Sequence, residues 1–202
     1  MRLSTCGPAI ALLAAGIVSP AAAQIVPLKP VSAFSAITNE HERSVALFLE
    51  AAKVITHPRC INCHPVNRQP TQGDDLHAHM PPMYAGPSDS GMPGLPCASC
   101  HGRTNTATLA SSIASIPGNP SWGLAPVPMA WQGKSLSEIC EQLKDTSRNG
   151  GRSLSKIHEH TATDRLVGWA WHPGDGRAPA PGTQAQFGAL IQAWISTGAQ
   201  CP

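Results

Sequence analysis

Two five-residue segments carry the chemistry of this chain: Cys60-Ile61-Asn62-Cys63-His64 and Cys97-Ala98-Ser99-Cys100-His101. Each reads C-x-x-C-H, the spacing at which a c-type haem is attached. Two thiols two residues apart can each add to one vinyl group of the same porphyrin. The histidine that follows can then offer an imidazole nitrogen to the iron. On this reading Cys60, Cys63, Cys97 and Cys100 form the thioethers of two covalently bound haem c groups, one around 57–64 and one around 97–101. His64 and His101 are the proximal iron ligands.

Two other chemistries use the same residue types. A pair of C-x-x-C knuckles can build a four-thiolate zinc site, with His64 and His101 available to join. Here 33 residues separate Cys63 from Cys97, wider than the usual gap of about 15–20. Zinc also has no need of a histidine directly after each pair. A thioredoxin-like C-x-x-C wants a βαβ setting, and no such pattern surrounds either motif.

What lies on the far side of each iron decides the chemistry. A second histidine or a methionine makes an electron carrier, whereas an open position makes a peroxidase-like enzyme or a ligand sensor. The candidate distal ligands are His79, His160, His57 and Met129. His79 leads for one iron, because it lies between the two motifs and is followed by the stiff pair Pro81-Pro82. His160 leads for the other. The chain is thus read as carrying single electrons rather than catalysing a reaction by itself. Its donor is an exported dehydrogenase and its acceptor a cytochrome or oxidase.

The rest of the chain must hold these groups. Residues 1–23 read as a secretory signal peptide: Arg2, an apolar run from Ala9 to Val18, and the small residues Ala21-Ala22-Ala23 ahead of Gln24. That predicts a periplasmic or secreted protein of a single domain, 24–202, with no membrane span. Fourteen basic side chains face twelve acidic ones. Such a balance argues against nucleic acid as a partner. Glycine and proline number 18 and 20, against only nine aromatic residues, so the polypeptide core is thin for its length.

Seven cysteines include Cys6 in the signal segment and the four of the motifs. Cys140 and Cys201 remain, in a compartment where thiols oxidise, and are expected to form a disulfide.

The element pattern is mainly α with extensive irregular loops, short helices packed around two covalent haems. Thr38 or Asn39 caps a helix to about Ile55, which Pro58 stops. From Pro81 to Pro96, and again from Pro117 to Pro128, Pro and Gly mark loops. The C-terminal part, 135–202, is helical. Ser135 and Glu138 form a capping box there. The last helix starts at Thr183 and carries Phe187, Leu190, Ile191, Trp194 and Ile195 inward. No alternating pattern is strong enough for a sheet. The five tryptophans read as packing, and Arg148-Asn149-Gly150-Gly151-Arg152 offers guanidinium groups suited to carboxylates.

The chain also resembles exported bacterial two-haem c-type proteins often labelled isoquinoline 1-oxidoreductase subunits. The resemblance lies in His57-Pro58-Arg59-Cys60 through Pro65, Cys97 through His101, Met129-Ala130-Trp131 and Arg148 through Arg152. It extends to Gly168-Trp169-Ala170-Trp171 and Gly198-Ala199-Gln200-Cys201-Pro202. It implies a molybdenum hydroxylase as donor. The chain itself has no molybdenum or iron–sulfur motif, so it would be the electron-accepting part.

Overall fold

The computed structural model describes residues 27–109 and 113–202. The signal segment expected at 1–23 lies outside them. About 40% of the described residues are helical, with few strands and long loops. Among the described residues no helix is long and apolar enough to cross a membrane.

The helices are α1 (Glu40–Ile55), α2 (Pro58–Ile61), α3 (Leu136–Lys144), α4 (Leu154–Thr163), α5 (Arg165–Gly168) and α6 (Gln184–Ser196). Their ends follow local chemistry. Asn39 caps α1 by accepting from the Glu42 N–H at 3.1 Å. The Pro58 ring is tolerated at the first position of α2, where its missing N–H has no helical partner to lose. Ser135 and Glu138 close the capping box of α3. Thr183 caps α6 by accepting from the Gln186 N–H at 3.1 Å.

One apolar core joins α1 and α6. Leu47, Phe48, Ala51, Ala52, Val54 and Ile55 of α1 are buried, as are Phe187, Leu190, Ile191 and Trp194 of α6. The Phe48 and Trp194 rings lie 5.3 Å apart at 47°. Burying side chains of this size stabilises by roughly 1.5–3 kcal/mol each. Helix α4 crosses α6 so closely that a Cβ at Gly188 would stand 2.5 Å from the Cβ of Ala162. Glycine there is a packing requirement. The Cys140–Cys201 disulfide is formed, tying α3 to the chain end after α6.

Between α2 and α3 the backbone is irregular, but the expectation of no sheet needs a correction. Three antiparallel pairs of two-residue strands occur: β1 (Thr71–Gln72) with β2 (His77–Ala78), β3 (Gly91–Met92) with β4 (Leu95–Pro96), and β5 (Thr106–Ala107) with β6 (Ser115–Ile116). Two residues are too few to show an inside–outside alternation.

Candidate functional site: two cavities with a common wall

Helix α1 ends directly at the first motif. Its Cys60 and Ile61 lie in α2, and the turn continues through Cys63 N–H to Cys60 O at 3.1 Å and His64 N–H to Ile61 O at 3.0 Å. A later loop straps across it. Ala125 N–H donates to Cys63 O and Trp131 N–H to His64 O, both at 2.9 Å. The second motif sits on a 3-10 turn, Cys97–Ser99, entered from β4. Cys97 N–H reaches Ser90 O at 2.7 Å.

Each motif borders a cavity. The first, of ≈ 260 Å³, is lined by Cys60, Cys63, His64, Met129, Trp131 and His160, with Leu143, Ile157 and Phe187 behind them. The second, of ≈ 290 Å³, is lined by Cys97, Cys100, His101 and His79, with Met80, Met83, Leu95 and Ile116. Arg59, Cys63, Trp122, Gly123, Leu124 and Trp169 line both. These six form a common wall. Its indoles meet edge to face, 4.8 Å apart at 84°.

The two motif histidines are held in one manner. His64 Nδ1–H donates to Met129 O at 2.6 Å, and His101 Nδ1–H donates to Pro117 O at 2.8 Å. A carbonyl can only accept, so each ring keeps a lone pair on Nε2. Each ring also stacks on an indole: His64 on Trp131 at 3.5 Å and 6°, His101 on Trp122 at 4.8 Å and 15°. Burial pulls His64 down to about 4, against the pull of the Met129 carbonyl, so the ring is neutral at pH 7. Burial lowers His101 as well.

The thiols differ. Burial pushes Cys60 up to about 12 and Cys63 to about 11, so both are fully protonated at neutral pH. Cys97 is raised by burial too, whereas Cys100 is exposed.

The four further candidates fall in different places. His160 lines the first cavity with His64, its Nδ1 3.4 Å from Asp164 Oδ2. His79 lines the second cavity, its ring 5.9 Å from that of His101, with Nδ1–H donating to Pro81 O at 2.8 Å. Met129 lines the first cavity and is buried. His57 lines neither. It caps α2, accepting from Arg59 N–H at 3.3 Å.

These donors do not converge into a metal centre. Among the described residues no group of three or more His, Cys, Asp or Glu side chains is placed to hold a metal ion. Among the described residues only Cys140 and Cys201 are a bonded cysteine pair. The expectation of two covalently bound haem c groups is corrected by that finding, and the zinc alternative falls with it. The first-motif thiols are moreover held as thiols, whereas zinc takes thiolates.

Arg59, which the sequence offers only as the residue before Cys60, lines both cavities. Its side chain is 1% exposed. Both of its side-chain hydrogen bonds leave through Nη2, to Gly73 O and to the Asp74 carboxylate, and its Nε has no partner. Burial lowers its pKa while Asp74 opposes the shift. No family model matches the chain, and neither the curated proteins nor the solved structures contain a match to it.

Proposed function

We propose that this is an exported carrier of single electrons, its short helices and loops framing two neighbouring apolar cavities. It takes electrons from an exported dehydrogenase and hands them to a respiratory acceptor. One observation carries the reading. Two apolar cavities, each bordered by a C-x-x-C-H segment and a second histidine, share a wall of aromatic side chains.

Three further features support the reading. The basic and apolar start of the chain reads as an export signal. The Cys140–Cys201 disulfide suits an oxidising compartment. The resemblance to isoquinoline 1-oxidoreductase subunits points to a molybdenum hydroxylase as donor.

Protein film voltammetry on material purified from the exported fraction tests the proposal. A reversible one-electron wave is expected. A protein that is electrochemically silent overturns it.

A further inference from the structure

The second motif opens one of its cysteines to solvent, which the first does not. Cys97–Ser99 form a 3-10 turn, and Cys100 N–H closes it on Cys97 O at 3.1 Å. A turn closed by that bond keeps the Cα atoms of its first and fourth residues within about 7 Å. A disulfide spans about 4.4–6.8 Å between the same atoms. The turn is held from behind by the β3–β4 pair. Cys97 N–H donates to Ser90 O at 2.7 Å, and a Cβ at Gly91 would stand 2.6 Å from that nitrogen. The outer side is free of cover: Pro96, Ala98, Ser99 and Cys100 are exposed, whereas Cys97 is half-buried. Ser90 to Gly102 carries no Asp, Glu, Lys or Arg, so the turn sets no charge requirement on what approaches it.

The first motif has the same turn in another setting. Cys63 N–H reaches Cys60 O at 3.1 Å, but both cysteines are half-buried against the first cavity, beneath the strap that donates from Ala125 N–H to Cys63 O. Turn geometry would let either pair close. Access separates them.

Loop size decides how such a bond behaves. The Cys140–Cys201 disulfide has a sequence separation of 61, so it restrains the unfolded chain strongly. A bond from Cys97 to Cys100 would enclose only Ala98 and Ser99, and so restrain it little. Exposed disulfides are the labile ones that exchange.

We propose that Cys97 and Cys100 are a thiol–disulfide exchange pair whose substrates are disulfides, with Cys100 as the attacking sulfur and Cys97 as the resolving one. Cys100 gives up its proton and attacks one sulfur of the substrate. That S–S bond breaks, and the departing sulfur takes a proton. Cys97 then loses its proton and attacks the Cys100 sulfur, which breaks the mixed bond and releases the second substrate thiol. Two electrons and two protons pass to the substrate, and the pair becomes a disulfide. Exchange of this kind needs an accessible dithiol rather than a βαβ unit, and it is independent of the single-electron reading.

Oxidised glutathione is the probe. The full chain is reduced with dithiothreitol, freed of it and mixed with the probe, and quenched samples are alkylated and mapped by peptide mass. Cys97–Cys100 should close at least about tenfold faster than Cys60–Cys63, as the difference in access requires. Cys97→Ser should stop at a mixed disulfide between Cys100 and glutathione, and Cys100→Ser should slow attack on the probe by about tenfold. Should either variant fail to fold by circular dichroism, the two closure rates of the wild type decide. Equal rates for the two motifs, a mixed disulfide formed as readily on Cys97 as on Cys100, or motif cysteines that resist alkylation after reduction in denaturant would overturn the proposal.

Discussion

The two C-x-x-C-H segments are the same five-residue device in two different settings. The first follows a sixteen-residue helix anchored in the core, is strapped by a later loop, and has both its thiols half-buried against the first cavity. The second sits on a three-residue turn among two-residue strand pairs, with Cys100 exposed. Yet both histidines are fixed alike, by a carbonyl on Nδ1 and an indole on the ring face. Orientation of an imidazole thus needs only two contacts, which a loop supplies as well as a core does. Shielding both thiols of a motif asks more: Cys60 and Cys63 are half-buried together, whereas in the second motif Cys97 is half-buried and Cys100 is exposed.

The largest difference between the halves should come from the disulfide, which braces the first. Cys140→Ser with Cys201→Ser opens a loop spanning a sequence separation of 61 residues. The loss expected from loop entropy is about 4 kcal/mol. Hydrogen exchange should show α1, α3 and α6 opening more readily, with the strand pairs little changed.

Acid should act next. His64 falls from 6.5 to about 4 on folding. Between those values the unfolded chain binds the extra proton, so stability drops as pH falls from about 6.5 to about 4 and this contribution is then exhausted. The loss is about 3 kcal/mol. His101 shifts in the same direction and adds a loss of the same sign. Urea midpoints across this range, with His64→Gln as the control, measure the effect.

The stacked indoles give the third contrast. Trp131 is buried and Trp122 only partly so. Trp131→Ala should cost about 3 kcal/mol, the low end for such truncations because a cavity already borders the ring, and Trp122→Ala about 1 kcal/mol. Equal costs would erase the distinction drawn between the two settings. The smallest effect belongs to Asp74→Asn, about 1 kcal/mol, since the Asp74 side chain is 50% exposed while its partner Arg59 is hidden.

What the sequence made legible is what depends on neighbours along the chain. The Asn39 cap, the Ser135–Glu138 box, the Thr183 start and the apolar stripe of α6 are all local patterns, and each stands where it was expected. The disulfide was legible because Cys140 and Cys201 are the two cysteines that stand outside both C-x-x-C-H segments and the signal segment. The strand pairs were too short to leave a period.

The site was legible only in part. The motifs marked the two cavities, but the structure does not bear out the pair of haems their spacing suggests. The pairing of His160 with the first cavity and of His79 with the second depends on loop paths that no periodicity encodes. Trp122 and Trp169, read as packing, make a partition because residues 47 apart in sequence meet there. Arg59 carried no signal beyond standing before a cysteine. Its burial and its unpaired Nε arise from contacts with Gly73 and Asp74, fourteen and fifteen residues further on.

The partition of Trp122, Trp169 and Arg59 has two faces and one position. A guest pressing on one side sets the surface that the other side offers to its own guest. Loading should accordingly be cooperative, and by thermodynamic linkage the factor by which the first occupant alters the affinity for the second must equal the factor in the opposite order.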